Sequence, residues 1–390
     1  FFAHLGAALR ARGARVWRVL LCPGDRLFWR GGGALPYRGR PEGWAEWLRR
    51  EIAAKGVTDI VCLGDGRRWH DEAARLAAPL GLRVHVVEQG YLRPGWLTVE
   101  PDGTGGRTRF PRDWPAIEAL AGPGGTAPRF RAGFFGYAAM DVAFNLANIF
   151  ASWATYPHFR IHTLVHPAVE WAGWIRNKAL PFRRRRRERE AAEARIGAHD
   201  GPLFILPLQL DTDFQIRLHA PPGGVGAILR RTALSFAEHA SRDALLVVKP
   251  HPLDHDAAQW REAAEATAAK AGIAGRVVFL DGGDLDALLA RAAGVIVANS
   301  TVGLSALRAD TPVIALGTAI YDLPGLTFAG GLDRFWAEAA PPDRERLDIL
   351  IRALQASIQV PGGFDGEGAR PGAEAMAARM LAPPPWKRAA

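Results

Sequence analysis

Short apolar runs and longer amphipathic stretches alternate along this chain. Phe1–Arg12, Gly43–Lys55 and Trp69–Leu80 carry apolar residues at helical spacing. Between them, Val16–Leu21, Thr58–Leu63 and Val84–Glu88 have the length and composition of buried strands. Gly56, Gly64 and Gly81 punctuate the element ends. The alternation predicts a parallel sheet covered by helices. In a βα unit a strand and a tight loop precede the helix, so the pattern also leads us to expect a first strand upstream of Phe1.

Gly122–Pro128 interrupts this pattern. From Ala132 to Ala194 the period stays helical, but the composition turns aromatic (Phe144, Phe150, Trp153, Tyr156, Trp171) and then basic. After Asp200-Gly-Pro202 the alternation resumes. Strands are expected at Leu203–Leu206, Ala244–Val248, Arg276–Phe279, Gly294–Ala298 and Val313–Ala315, with helices such as Gly226–His239 and Ala257–Ala271 between them. The end of the chain holds one good helix, Asp343–Gln355, a Gly-rich loop and a terminal helix near Ala373–Leu381. No internal repeat is visible. The expected class is α/β, of the GT-B-like kind: two Rossmann-like domains facing a cleft, with a helical aromatic and basic insertion. Its expected parts are residues 1–125, the insertion 132–195, a second domain 200–340, and C-terminal helices 341–390 packing back on the cleft. That outline serves sugar-nucleotide transferases, epimerases and binding proteins alike, so it does not fix a function.

Composition narrows the picture. The 390 residues suffice for two domains, and 48% hydrophobic with 23% charged residues is ordinary for a globular protein. Two cysteines, Cys22 and Cys62, sit at strand-like positions and suggest packed thiols in a reducing cytoplasm rather than a disulfide framework. No run approaches the ~20 apolar residues of a membrane span. The first residues lack the basic region of a signal peptide. The net charge of +9 is local: Arg160–Arg189 holds nine Lys/Arg against two acids, a segment charge of +7. Aromatics followed by an arginine run suit the surface of an anionic membrane. The plainer reading is a packed helix with a solvated basic end. No nucleic-acid recognition module accompanies the charge, so no nucleic-acid partner is expected.

Three polar runs directly follow expected strands: Pro207–Gln215, Lys249–Pro252 and Asn299–Gly303. In an open α/β sheet ligands bind at the strand C-termini. In the first run, Asp211 and Asp213 lie two residues apart and share a face of an extended chain. Either carboxylate could serve as nucleophile or base, or could simply cap the next helix. Gln209, Gln215 and His219 add polar groups nearby. In the second run, two prolines fix the backbone around Lys249 and His251, a cationic pair suited to a phosphate or carboxylate. In the third, Asn299, Ser300 and Thr301 open a helix read as Leu304–Arg308, where free N–H groups favour an anion. In the first half, Glu88 could position an acceptor or act as a base, and Tyr91 and Arg93 could hold an anionic acceptor. Asp25 and Asp65 read as turn residues. His158, His162 and His166 recur every four residues in a stretch read as helical, without an acidic partner, so no metal site is expected. Neither a P-loop nor a Gly-x-Gly-x-x-Gly turn follows a strand, which leaves ATP and NAD without support.

Together these motifs resemble the KpsS/LipB-type capsule polysaccharide biosynthesis proteins. The matching stretches are Asp59–Asp65, Glu88–Pro94 with Thr98 and Glu100, Pro207–His219, Lys249–Asp254 and Asn299–Ala306. The resemblance implies a retaining β-Kdo transferase that uses CMP-β-Kdo as donor substrate and needs no cofactor. It implies transfer of Kdo to (lyso)phosphatidylglycerol on the cytoplasmic face of the Gram-negative inner membrane, alongside other capsule biosynthesis and export proteins. By position, Asp213 would be the nucleophile, His251 the phosphate ligand and Glu88 a supporting carboxylate. Two positions depart from the family pattern: Phe214 stands where Ser is expected after the key Asp, and Gln89 where a second acid is expected before Gly90. Two alternatives stand beside this reading. One is an enzyme for another sugar nucleotide, sialyltransferase-like or UDP-sugar-dependent; the other is a non-enzymatic capsule assembly or export partner.

Overall fold

The computed structural model describes residues 1–126, 130–131, 134–160, 166–176, 182–211, 216, 221–254 and 257–384. In chain order its strands are β1 (Arg18–Leu20), β2 (Ala34–Pro36), β3 (Asp59–Leu63), β4 (Arg83–Gln89), β5 (Trp96–Pro101), β6 (Leu203–Pro207), β7 (Leu245–Lys249), β8 (Val277–Phe279), β9 (Gly294–Val297), β10 (Val313–Ala315) and β11 (Gln359–Pro361). The chain forms two compact units, Phe1–His162 with Ile351–Ala390, and Thr163–Leu350.

The second unit follows the expected pattern closely. Its five strands are all parallel, in the order β10-β9-β6-β7-β8. Every residue of β6, β7 and β9 is buried, as a parallel sheet covered on both faces demands. One side of the core is aromatic. The Trp336 ring meets Phe204 and Phe236 edge-on, with centroids 4.9 and 5.2 Å away. Its indole N–H is satisfied by Ser235 Oγ at 2.8 Å. Numbered from β6, the strand order is the doubly wound one, with its switch point between β6 and β9.

The first unit departs from expectation. Its main sheet runs β11-β5-β4-β3, and only β3 and β4 are parallel. A turn over residues 90–95 folds β5 back antiparallel on β4. β5 gave no apolar run because Thr98 and Glu100 lie buried within it. β11 is only three residues long. β1 and β2 form a separate parallel pair. A cavity of about 590 Å³ lies between β1 and β3, lined by residues such as Leu5, Leu9, Trp44 and Ile52. Gly56 and Gly81 end their elements in the left-handed region, φ 59° and 67°. Cys62 lies in β3, but Cys22 precedes a helix, Pro23–Phe28, rather than sitting in a strand. Both are free buried thiols, pushed up to about 12 by burial.

Residues 132–195, expected as one insertion, are shared between the units. Helix Phe134–Thr155 packs on Pro23–Phe28 in the first, and helix Phe182–Gly197 belongs to the second. The histidine repeat is not one helix. His158 follows the end of Phe134–Thr155, His162 lies outside the described residues, and His166 caps the separate helix Pro167–Trp174 through Nδ1.

The sheets of the two units differ in how their strands are paired. β6 and β7 have partners on both sides, whereas β1 and β3 each have one. Native-state hydrogen exchange should therefore be much slower at β6 and β7 than at β1 and β3. Equal protection would show that the first unit is closed up as tightly as the second.

Candidate active site

At the switch point of the second unit, Gln209 follows β6 and Asn299 follows β9. Their side chains lock together: Gln209 Nε2 donates to Asn299 Oδ1 at 2.9 Å, and the Asn299 backbone N–H donates to Gln209 Oε1 at 3.3 Å. Helix Thr301–Arg308 starts immediately afterwards, three residues earlier than the pattern suggested. Ser300 is its N-cap, and its Oγ accepts from Val302 N at 3.2 Å. Thr301 is the first helical residue. The turn is held from below by Tyr321, whose buried hydroxyl donates to the Ser300 carbonyl. Burial holds that hydroxyl well above the usual tyrosine range. A β-carbon on Gly303 would overlap the Tyr321 hydroxyl, which explains a glycine in the first turn of this helix.

The neighbouring strand β7 ends in Lys249, in register with Pro207 of β6. Lys249 is buried, and its ammonium donates to the Gly282 carbonyl in the loop after β8. That loop is buttressed from helix Phe182–Gly197: Arg185 donates to Asp281 Oδ2 through Nε at 2.9 Å and Nη2 at 2.6 Å. His251 sits in a tight turn in which its Nδ1 accepts from Leu253 N at 3.1 Å. This bond places the proton of the neutral ring on Nε2, the tautomer that can donate to a phosphate oxygen.

Asp211 takes the plainer of its two roles. Its Oδ1 accepts from Val225 N at 2.9 Å and caps the start of helix Gly224–His239. Asp213, Gln215 and His219 lie outside the described residues. The structure therefore brings together Gln209, Asn299, Ser300 and Thr301 at one turn, with Lys249 and His251 on the adjacent strand end. Adjacent strands are about 4.8 Å apart, so the three strand ends span a width of about 10 Å.

The first unit holds a separate acidic cluster. Glu100, fully buried in β5, accepts from the Tyr91 hydroxyl at 2.8 Å and from Thr108 Oγ1. Thr104 Oγ1 bridges Glu88 Oε1 at 3.3 Å and Asp65 Oδ1 at 3.4 Å. Gln359 of β11 pins the turn, accepting from Tyr91 N at 2.9 Å and donating to Thr98 Oγ1 at 2.8 Å. Glu88 and Tyr91 are thus brought together. Arg93 is exposed, and its Nε donates to the Gly90 carbonyl within its own turn. Asp65 and Asp25 are expected in turns, but Asp65 tethers the distant Thr104 backbone, and Asp25, in the first turn of helix Pro23–Phe28, pairs with Arg18 and accepts from Leu21 N. Burial pushes the Glu100 carboxyl up to about 8, against the opposing hydrogen bonds of Thr108 and Tyr91. Burial, with Glu100 and Glu88 close by, also raises the Tyr91 hydroxyl.

Four of the six arginines between Arg183 and Arg189 are paired with acids. Arg184 pairs with Glu188, Arg186 with Glu190 and Arg189 with Glu193, each one helical turn apart, while Arg185 holds Asp281. Sequence reasoning missed Tyr321, Asp281 and Gly282, which carry no motif of their own and act through the third dimension.

These sites sit in a chain whose residues 58–364 match the family model described as "Capsule polysaccharide biosynthesis protein". The chain belongs to that family. It is 28% identical over 363 residues to the capsule polysaccharide export protein KpsS of Escherichia coli, covering 92% of each chain. It is 30% identical over 375 residues to the capsule polysaccharide modification protein LipB of Neisseria meningitidis, covering 93% of this chain and 88% of the relative. Among solved structures, the β-Kdo 2,7 transferase of Thermosulfurimonas dismutans KpsC superposes with a TM-score of 0.44 at 16% identity, over 89% of this chain and 90% of that one.

Two expectations test these descriptions. Glu100 binds its proton more tightly folded than unfolded, so its stabilising contribution is complete below pH ~4.5 and disappears as pH rises through about 8. Relative to Glu100→Gln, the wild type should lose about 1.4 kcal/mol of stability per pH unit across that window. Parallel curves would place the carboxyl in a more polar setting. Gly303→Ala should destabilise by about 1–3 kcal/mol through overpacking. Tyr321→Leu removes the hydroxyl and the ring edge that the new β-carbon meets, so the double mutant should lose less than the sum of the two single losses, and melting of the four proteins of the cycle decides it.

Proposed function

We propose that this protein is a retaining glycosyltransferase that moves Kdo from CMP-β-Kdo to (lyso)phosphatidylglycerol at the inner face of the inner membrane, building the lipid linker of a capsule. The observation that carries the reading is the convergence at the switch point of β6 and β9, with Lys249 and His251 on the next strand end. A donor-phosphate site needs donors aimed at developing negative charge more than it needs a strong acid, because CMP is a good leaving group. His251 Nε2–H, the Lys249 ammonium and the N-terminus of helix Thr301–Arg308 are groups of that kind.

In this reading the Asp213 carboxylate attacks C2 of Kdo. The C2–O bond to the phosphate breaks, and CMP departs with the bonding electrons onto its phosphate. A glycerol hydroxyl of the lipid then attacks C2, the bond to Asp213 breaks, and the hydroxyl proton passes to a base. Two displacements at one carbon give net retention. Asp211, already spent on capping helix Gly224–His239, takes no bond-making role in this reading. Family membership supports a role in capsule polysaccharide biosynthesis, and the family resemblance supplies the sugar and the acceptor. Phe214 and Gln89 are departures this reading accommodates, because neither side chain takes a bond-making role in it.

The test is turnover of CMP-Kdo with lyso-phosphatidylglycerol, read by mass of the product lipid. The wild type should form Kdo-lipid, Asp213→Ala should lower the rate by about 10³-fold or more, and His251→Ala should lower kcat/KM by about 10²-fold. No product from the wild type, or an undiminished rate from Asp213→Ala, overturns the proposal. Turnover of a UDP-sugar or CMP-sialic acid in its place would redirect it to another donor.

A further inference from the structure

Helix Phe134–Thr155 has an unusual outer face. Its inner face packs on helix Pro23–Phe28. Phe144 lies directly against Gly24 and its ring stands 6.4 Å from that of Phe28, while Asn148 Oδ1 accepts from Gly24 N at 2.9 Å. These contacts fix which way the helix is turned. The opposite face carries Val142, Leu146, Phe150 and Trp153, spaced four, four and three residues apart and therefore in one stripe. All four are exposed, Phe150 to 71% and Trp153 to 78%. Met140 on this helix, and Leu27 and Phe28 on its neighbour, are exposed as well. A surface helix normally turns polar residues outward. This one has a single charged residue, Asp141, in its first third.

The polar groups near the tip of the stripe are turned inward onto the helix. The Trp153 indole N–H donates to the Phe150 carbonyl at 2.8 Å, and Thr155 Oγ1 donates to the Ala151 carbonyl at 2.7 Å. Taking these two exposed donors out of water therefore strands neither of them. Asp141 lies twelve residues before Trp153, about 18 Å along the axis, so the tip can enter an apolar phase while that carboxyl stays in water. No helix among the described residues is long and apolar enough to cross a membrane.

The charges in the same unit select the occupant. Arg26 and Arg30 are exposed on and just after the neighbouring helix, and Arg160 is exposed five residues beyond the end of this one. Arg38 lies over the ring of Tyr156, the residue directly after the helix, 5.7 Å from its centroid. Asp25, the acid nearest in sequence to this group, is paired with Arg18. An apolar stripe whose tip ends at Tyr156, beside Arg38 and Arg26, complements an anionic lipid surface, rings among the acyl chains and guanidinium groups on phosphates. A symmetric dimer through the same face would bring one arginine margin against another.

We infer that the outer face of helix Phe134–Thr155 is a membrane-docking surface for anionic phospholipid, with Phe150 and Trp153 as the inserting residues. This deepens the lipid-acceptor part of the proposed function and would hold the enzyme where its acceptor is. The test uses the full chain and needs no turnover: sedimentation with vesicles of phosphatidylglycerol and phosphatidylcholine in equal parts, and with vesicles of phosphatidylcholine alone. The wild type should pellet with the anionic vesicles, and Phe150→Ser/Trp153→Ser should bind them at least tenfold more weakly with an unchanged melting temperature. Leu234→Ser, which removes an exposed leucine in the other unit, should bind like the wild type. Failure of the wild type to bind, undiminished binding by the double variant, or equal binding to phosphatidylcholine overturns the assignment. So does a wild-type dimer that the double variant abolishes, since a second copy would then cover the face. Because binding is read without donor, a failed sugar transfer leaves this inference standing, and failed docking leaves the transfer chemistry to its own assay.

Discussion

A sheet of five parallel strands has to be covered on both faces, and that constraint organises the second unit. β6 at its centre has no exposed residue. Its connections can run to one side, through β7 and β8, and then to the other, through β9 and β10, only if the chain reverses its winding beside β6. Loops after β6 and β9 part at that point, and each carries polar residues away from the sheet. Gln209 and Asn299 meet there because the topology requires it, and their two mutual hydrogen bonds fix both loops in one arrangement. The buried Tyr321 then sets the height of the Ser300 carbonyl and, through Gly303, the start of helix Thr301–Arg308.

The arginine-rich helix and the acidic cluster show how differently charge is handled in the two units. In the second, much of a run that looks like a free cationic patch is spent on turn-spaced carboxylates and on Asp281. Arg185 thereby steadies the loop whose Gly282 carbonyl holds Lys249. A cation fixed in this way is preorganised for an anion. In the first unit, Asp65, Glu88 and Glu100 crowd around Thr104 and Tyr91, and burial favours the neutral form of Glu100. A neutral carboxyl can share a proton with Tyr91 without placing a third negative charge beside the other two acids.

The sequence was most legible where one physical signal dominates. Each strand of the second unit is a short apolar run, so all five could be located, and the turns after β6 and β9 meet through Gln209 and Asn299. It was least legible where polar residues are buried for a reason outside the local stretch. β5 hides Thr98 and Glu100, whose partners are Gln359, Tyr91 and Thr108, and no period in Trp96–Pro101 reveals them. The mixed sheet of the first unit was missed with it. Asp211 was an even choice between chemistry and capping on sequence, and a single bond to Val225 N assigns it to the cap. The aromatic segment around Phe150 was marked by composition, but only the packing of Phe144 and Asn148 on Gly24 shows which of its residues face outward.

The central claim is that the switch point between β6 and β9 is the donor-nucleotide site. Calorimetric titration of CMP into the wild type, Asn299→Ala and Gln209→Ala tests it without requiring the acceptor, the sugar or the membrane. The account predicts measurable CMP binding by the wild type and a loss of at least tenfold in each variant, about 1.4 kcal/mol or more, with melting temperatures close to that of the wild type. CMP binding of equal strength in all three proteins would place the nucleotide elsewhere and contradict it.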